Sequence, residues 1–387
     1  MLLGLLPLFI LAHFTHHLMG ALLTPLLPFI RNEFALDYTQ VGGLVSAFTI
    51  AYGVSQLPGG WLADRLGARL LIVIGVSGVA LFGLLVGLSV NYLMMLIFLV
   101  FMGLLGGGYH PAASPLISDL VDPNRRGRAL GIHQIGGTAS YFLAPLIAAG
   151  IAAALGWRGS FITVASITMI FGIILYVLLG RQLHAGEVKV KPITTTAVAA
   201  FPGQRRRLVA FLVMAIMTQA LLFSLLQFIP LFTVDNFGVS EEVGAAMLAL
   251  ATSAGFWGGP LGGYISDRLG KVRLALGLCF IAGPFVFLLN LSSLGWSISA
   301  VLIIIGMAHY TMLPIAESFL ISKTSERNRS TVLGVYYLCS RGGPGLIAPV
   351  MGYIIDHYGF YTNFALTGAV LLIVTLGCAA FLWSSRD

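Results

Sequence analysis

Residues 60–67 have the sequence GWLADRLG, and residues 263–270 have the related sequence GYISDRLG. The two segments lie 203 positions apart, and the same offset aligns other residues along the chain. The aligned pairs include Phe34 with Phe237, Gly103 with Gly306, Pro111 with Pro314, and Phe161 with Phe364. Because these matches keep one register over most of the chain, they indicate a tandem duplication.

The composition is that of a chain surrounded by lipid. Of the 387 residues, 58% are apolar and 9% are charged, whereas soluble domains carry about 25% charged residues. Apolar runs of about 20 residues, long enough to cross a membrane as helices, alternate with short polar breaks. They lack the alternating pattern of a membrane β-barrel. The predicted spans are 4–30, 39–62, 70–90, 92–119, 129–154, 159–180, 208–233, 241–265, 273–292, 296–321, 331–355 and 360–383.

We therefore predict an all-α membrane protein with twelve transmembrane helices in two pseudo-symmetric six-helix bundles. The N-terminal bundle occupies residues 1–180, the C-terminal bundle occupies residues 208–387, and a cytoplasmic central loop lies at 181–207. Two matching bundles suit alternating access, in which one bundle rocks against the other. Since one chain holds both bundles, a monomer surrounded by membrane lipids is sufficient.

The basic residues are concentrated on one side of the predicted membrane. If both termini are cytoplasmic, all of the 21 Lys and Arg residues except Arg31, Arg158 and Arg341 lie on the cytoplasmic side. This is the bias that the positive-inside rule describes. The net charge of +7 therefore indicates topology, and we expect no nucleic-acid partner. We predict a multi-pass protein of a bacterial-type cytoplasmic (inner) membrane.

The repeated motif combines glycines, an aspartate and basic residues. Its glycines allow a tight turn and a close approach of helices, and its aspartate can meet the N-terminus of a helix across the bundle interface. A loop that merely sets topology would need basic residues but no fixed glycine or aspartate. The residues of the two copies are Gly60, Asp64, Arg65, Gly67, Arg69, Gly263, Asp267, Arg268, Gly270 and Arg273.

This motif resembles the signature of the major facilitator superfamily, glycine-x-x-x-aspartate-arginine-x-glycine followed by basic residues. The resemblance covers the whole chain because the motif occurs at equivalent places in both halves. It implies secondary transport and a cytoplasmic gate that is latched when the binding site faces outward.

The fifth predicted span contains small residues at a regular spacing, which are Gly131, Ser140, Ala144, Pro145, Ala148 and Ala149. The spacing resembles the span-5 motif of drug–proton antiporters, with small residues where that motif has glycines. The resemblance favours efflux over uptake. Generic packing of helices through small residues is the alternative.

A narrower resemblance is to the fosmidomycin-resistance subgroup, which exports an anionic phosphonate. It rests on residues 106–111 (GGGYHP), on residues 134–137 (QIGG) and on the proline-containing first span. His16 and His17 stand where that subgroup tends to have an Asn-Asp pair.

Two charged residues are predicted to lie within the membrane, where they are costly unless they have a function. Arg341 is about ten residues into the eleventh span and therefore near the midplane. Its guanidinium suits a carboxylate or phosphonate. Glu317 on the tenth span can hold a proton, or can form a structural ion pair with Arg341.

Several histidines also fall within predicted spans, and His13 and His17 share a helical face at i and i+4. Histidine titrates near neutral pH, so these residues can couple protons to a substrate. Neutral histidines that hydrogen-bond between helices are the alternative. A metal site at His13, His16 and His17 lacks a nearby carboxylate, and we expect none. The histidines assigned to binding or coupling are His13, His17, His110, His133 and His309.

Taken together, the residues predict a proton-coupled exporter of a small anionic or amphipathic organic compound. The alternatives are an uptake symporter or exchanger for organic anions, and a lipid flippase. No phosphate-binding loop or nucleophile elbow is present in the sequence, so we do not expect an enzyme. We expect no cofactor, with a proton gradient as the energy source.

Overall fold

The computed structural model describes residues 2–122, 125–183, 204–324 and 326–382. These residues form thirteen α-helices, a short 3-10 turn at Leu289–Leu291, and no strand. Most of the central loop, and with it His184, lies outside the described residues. The helices are α1 (Leu2–Ala21), α2 (Leu23–Phe34), α3 (Tyr38–Leu66), α4 (Ala68–Gly87), α5 (Tyr92–Gly106), α6 (Tyr109–Asp119), α7 (Arg126–Leu183), α8 (Gln204–Phe237), α9 (Glu241–Ser253), α10 (Gly255–Leu269), α11 (Lys271–Leu288), α12 (Trp296–Lys323) and α13 (Glu326–Leu382).

The helices confirm the predicted twelve-span fold. Within the described residues, eight helical stretches are long and apolar enough to cross a membrane. The stretches at Arg126–Arg181 and Gly334–Leu382 have 56 and 49 residues, and one crossing needs about 20, so each contains two spans. Helix α3 and the pair α9 and α10 supply the two remaining spans.

Paired glycines mark the duplication in the backbone. Helix α7 bends at Gly156, where φ is 70°, and α13 bends at Gly359, where φ is 77°. Gly67 and Gly270 also have positive φ values, 85° and 87°, at the turns that follow α3 and α10. Glycine adopts this left-handed region at low cost because it has no Cβ. Each pair is separated by the repeat offset of 203 positions.

The halves of the chain meet along two symmetry-related contacts. Helix α3 packs along α13, and α7 packs against α9. The second half of α7 turns large apolar side chains outward, including Ile167, Ile170 and Ile173. Since membrane lipid is as apolar as a protein core, this outward face suits contact with lipid.

Candidate functional site

The two halves are joined at one face of the membrane, here called the far face, which lies opposite the chain termini. Arg31 at the end of α2 forms an ion pair with Asp235 near the end of α8. The Tyr38 hydroxyl donates to the same carboxylate. The Asp356 carboxylate of α13 accepts from the backbone N–H groups of Tyr38 and Thr39, both at 2.8 Å. A carboxylate at a helix N-terminus is stabilising, and this one belongs to the other half of the chain.

Close backbone contact reinforces this junction. A Cβ atom on Gly42 of α3 would lie 2.5 Å from the carbonyl oxygen of Ala348 on α13. A Cβ atom on Gly53 would lie 2.8 Å from the Cα of Gly342. Helices α3 and α13 therefore touch at positions that leave no room for a side chain, and the far face is closed.

The repeated motif, at the other face, is exposed. Asp64 and Asp267 are exposed and make no hydrogen bond or ion pair with a described residue. Arg65 stacks on the ring of Trp61 at 4.2 Å and Arg268 stacks on Tyr264 at 4.3 Å, each within its own helix. Among the described residues, the motif forms no hydrogen bond or ion pair between the halves.

The glycines of the motif divide into two kinds. Gly67 and Gly270 form the predicted tight turns. Gly60 and Gly263, in contrast, are helical, and a Cβ atom on either would meet nothing within 4 Å. The expected close approach of a helix at these two positions is absent from the described structure.

Of the remaining basic residues, Arg69 donates to the carbonyl oxygen of Tyr176 at 2.7 Å, inside the N-terminal half. Arg273 is exposed.

Between the two faces lies a cavity, and proteins bind small molecules in concave sites of this kind. Both halves line it. The lining residues are His16, His17, Gly20, Phe48, Thr49, Tyr52, Val79 and Tyr141 from the N-terminal half, and Gln219, Phe223, His309, Leu313, Ser340 and Arg341 from the C-terminal half.

Arg341 supplies the positive charge of this cavity. No Asp or Glu is among the lining residues, and Arg341 forms no ion pair with any described residue. Glu317 does not line the cavity, and its carboxylate lies beyond ion-pair distance of the Arg341 guanidinium. The Arg341–Glu317 ion pair considered above is therefore not formed in this conformation.

His309 faces the cavity from α12, opposite the other histidines. It is buried, and its Nδ1 atom has no hydrogen-bond partner among the described residues. A buried polar atom without a partner is costly, so a bound ligand or water would complete this position.

Five histidines of the N-terminal half form one cluster, built from α1, α6 and α7. The ring of His13 stacks on His133 with centroids 4.2 Å apart and lies 4.8 Å from the ring of His17. His110 adds its ring 5.0 Å from His13, and His16 lies 4.9 Å from His17. The structure therefore brings together four of the five histidines assigned from the sequence, and only His309 lies apart.

The hydrogen bonds of the cluster lead away from the cavity. The Tyr141 hydroxyl lies 3.3 Å from Nδ1 of His17, and Nε2 of His17 lies 2.9 Å from Nε2 of His110. Tyr141 and His17 line the cavity, whereas His110 and His133 lie behind them. His133 contacts the Tyr109 hydroxyl at 3.1 Å through Nε2. The result is a short chain of exchangeable protons that begins at the cavity.

The small residues of the fifth span mostly lie in packed surroundings. Ser140, Ala144, Ala148 and Ala149 are buried. Pro145 lines a neighbouring cavity region together with residues of the C-terminal half. Gly131 is exposed, with nothing within 4 Å of an added Cβ.

Tyr52, Tyr141 and Gln219 are polar lining residues that the sequence reasoning missed. They are uncharged, so a survey of ionisable residues in the spans passes over them. A signal was present for Gln219, because an amide inside an apolar span is costly without a partner.

Comparison with known proteins agrees with this geometry. The chain is 23% identical over 375 residues to the hexuronate transporter of Bacillus subtilis, covering 92% of this chain and 88% of the relative. It is 27% identical over 369 residues to the probable sulfoacetate transporter SauU of Cupriavidus necator, covering 89% and 85%. It is 25% identical over 374 residues to the multidrug resistance protein MdtG of Salmonella arizonae, covering 94% and 91%.

A solved structure shares the fold. A bacterial homologue of the human lysosomal transporter Spinster, in an inward-facing and occupied conformation, superposes with a TM-score of 0.78 at 18% identity. The superposition covers 98% of this chain and 96% of that one. The family model described as Major Facilitator Superfamily matches residues 9–347. Because that match spans most of the chain, this protein belongs to the Major Facilitator Superfamily of membrane transporters.

Proposed function

We propose that this chain is a proton-coupled exporter of a small organic anion, working by alternating access in a bacterial inner membrane with both termini cytoplasmic. The observation that carries the proposal is Arg341, a cation in a cavity whose described lining contains no acidic residue. A buried charge without a partner is expensive, so an anionic substrate is the natural complement. The guanidinium fork pairs with carboxylate, sulfonate or phosphonate oxygens.

The relatives support an anionic substrate. Hexuronate is a carboxylate and sulfoacetate carries a carboxylate and a sulfonate, and these are the compounds that two relatives are named for. The resemblance of residues 106–111 to the fosmidomycin-resistance subgroup adds phosphonates to the candidates.

Proton coupling is supported by the hydrogen-bonded series that runs from Tyr141 through His17 to His110. Each contact joins two groups with exchangeable protons, and His17 is in the wall of the cavity. A proton on these hydrogen-bonded residues and an anion at Arg341 would occupy neighbouring parts of one site. Coupling then follows if the two ligands favour different conformations.

Each face of the membrane has its own closing contacts in this proposal. The junction of Arg31, Tyr38, Asp235 and Asp356 closes the far face while the cavity faces the cytoplasm. Asp64 and Asp267 would latch the cytoplasmic face in the opposite conformation, in which the helices approach Gly60 and Gly263.

Export is favoured by the spacing in the fifth span and by the relative named as a multidrug resistance protein. Uptake or exchange of an organic acid is the second candidate, favoured by the two relatives named for organic acids.

Ligand binding tests the anionic substrate. Purified protein in detergent would be titrated with carboxylates, sulfonates and phosphonates, and its thermal unfolding would be followed. Stabilisation by one anion class is expected, and it should be lost in Arg341→Ala and weakened in Arg341→Lys, which keeps the charge but not the fork. The exposed Arg128→Ala is the matched control. Equal stabilisation of Arg341→Ala and the unaltered protein would refute the assignment.

A further inference from the structure

We propose that His13, His17 and His110 form a binding site for a divalent transition-metal ion of the Zn²⁺ and Co²⁺ class. Each residue offers one ring nitrogen, and the three nitrogens lie within 4.8 Å of one another. Three imidazoles with an open fourth position are an established protein environment for such an ion. The site goes beyond the transport proposal and does not depend on it.

His13 is oriented as a metal ligand. Its Nδ1 atom lies 2.9 Å from the carbonyl oxygen of His133. A carbonyl only accepts hydrogen bonds, so Nδ1 carries the proton and Nε2 has a free lone pair. That Nε2 atom is buried without a partner among the described residues. Metal-binding histidines commonly donate their second N–H to a carbonyl in this way, which fixes the tautomer and the ring orientation.

His17 and His110 complete the set. Their Nε2 atoms are 2.9 Å apart, a contact that requires a proton on one nitrogen and a lone pair on the other. With the donor imidazole in its other tautomer, in which Nδ1 carries the proton, both Nε2 lone pairs would be free to bind a metal ion. His17 lines the cavity and His110 is partly exposed, so an ion can reach the site.

The distances require a modest adjustment. A tetrahedral ion with metal–nitrogen bonds of about 2.0–2.1 Å places its ligands roughly 3.3–3.4 Å apart. The observed separations run from 2.9 Å for the hydrogen-bonded pair to at most 4.8 Å, so the rings must move by roughly 0.5–1.5 Å. His13 and His17 are one helical turn apart on α1, and His110 is on α6, so side-chain rotation can supply this movement.

The donor set determines which ions fit. All three donors are imidazole nitrogens and none is a carboxylate. Imidazole suits Zn²⁺, Co²⁺, Ni²⁺ and Cu²⁺, whereas Ca²⁺ and Mg²⁺ prefer oxygen ligands. From the sequence we expected no metal at His13, His16 and His17, whereas the structure groups His110, and not His16, with His13 and His17. Both ring nitrogens of His16 are engaged, by the Gly75 carbonyl at 3.1 Å and by the Tyr52 hydroxyl at 3.3 Å.

The test is a Co²⁺ titration of the detergent-purified full chain, prepared without a polyhistidine tag. The visible absorption of Co²⁺ reports its coordination and its stoichiometry. We expect one Co²⁺ per chain in a four-coordinate environment, displaced by Zn²⁺ and not by Mg²⁺. His17→Gln and His110→Gln should each weaken binding by more than the 10–100-fold typical of losing an outer-shell partner.

Three further variants make the test specific. His309→Gln removes a buried histidine across the cavity and His357→Gln removes an exposed one, and both should leave the spectrum unchanged. Gly137→Ala keeps every histidine, but its Cβ would lie 2.6 Å from Cε1 and 2.8 Å from Nε2 of His13. It should therefore displace that ring and weaken binding.

The absence of stoichiometric Co²⁺ binding to the unaltered chain would overturn the proposal. Binding that persists in both His17→Gln and His110→Gln would overturn it too. Neither result bears on transport, because the measurement needs no substrate and no membrane gradient.

Discussion

Thr24 and Gln227 are equivalent residues of the two repeats, 203 positions apart, and the Thr24 hydroxyl donates a hydrogen bond to the Gln227 side-chain oxygen. Two equivalent positions of a two-fold arrangement can touch each other only close to the symmetry axis. Both residues line a cavity region that shares Phe48 and Tyr141 with the Arg341 cavity. The candidate site therefore lies on the axis between the halves, where alternating access requires it.

The functional side chains break this symmetry. By the repeat offset, Arg341 corresponds to Thr138 and His17 corresponds to Ala220. The duplication accordingly accounts for the scaffold, whereas the guanidinium of Arg341 and the imidazole of His17 each have no counterpart at the equivalent position of the other half.

Neutralising Asp235 should loosen the far face. Asp235→Asn removes the ion pair with Arg31 and weakens the bond from Tyr38. A partly exposed ion pair contributes about 0.5–1 kcal/mol, so the equilibrium constant for closing the far face should fall roughly two- to fivefold. Hydrogen–deuterium exchange at residues 34–42 and 350–358 would report the change.

Glu33→Gln is the control for that experiment, because Glu33 pairs with Arg158 inside the N-terminal half. Equal exchange in the Asp235 and Glu33 variants would mean that the Arg31–Asp235 pair does not hold the halves together.

Adding one methyl group at Gly42 should hinder closure of the far face more strongly. The new Cβ would lie 2.5 Å from the carbonyl oxygen of Ala348, and overpacking of this kind costs about 1–3 kcal/mol. A cysteine placed at Thr49, in the cavity wall, would then react with an impermeant maleimide added from the far face.

Gly277→Ala serves as the comparison, since a Cβ there meets nothing within 4 Å. Equal protection of the Thr49→Cys probe in Gly42→Ala and Gly277→Ala would mean that the contact between Gly42 and Ala348 does not close the far face.

Replacing His17 should separate proton movement from anion binding. His17→Gln interrupts the hydrogen-bonded connection between Tyr141 and His110 but leaves Arg341 intact. In liposomes that contain a pH-sensitive dye, substrate-driven proton movement should be lost, while anion binding in detergent should persist because the Arg341 guanidinium is unchanged.

The exposed His357→Gln variant should behave as the unaltered protein does in both measurements. Normal substrate-driven proton movement in His17→Gln would exclude His17 as a coupling residue.

The scaffold was predictable because its signals are local or periodic. Span lengths follow from hydrophobicity, and the repeat offset aligns the two gate motifs. The same offset aligns Gly156 with Gly359, so the two sharp bends could also have been anticipated. Both pairs of positive-φ glycines repeat a backbone conformation that other residues rarely adopt.

The assembly of the site was less predictable, for a physical reason. A membrane helix is apolar toward lipid and toward its neighbours, so periodicity does not reveal which face turns inward. Helical spacing placed His13 and His17 on one side of α1, but it could not show that His110, 93 positions from His17, would meet them. The pairing of Arg31 with Asp235 likewise depends on how the halves meet.

The most direct test of the central claim is proton flux in proteoliposomes loaded with a pH-sensitive dye. A pH gradient would be imposed, and carboxylates, sulfonates and phosphonates would then be added in turn. We expect one anion class to drive proton movement, with Arg341→Ala reducing the rate by about 10–150-fold, the loss of one charge-assisted interaction of 1.5–3 kcal/mol. Arg128→Ala should have no effect. Undiminished flux in Arg341→Ala, or no anion-driven proton movement by the folded protein, would contradict a proton-coupled anion transporter.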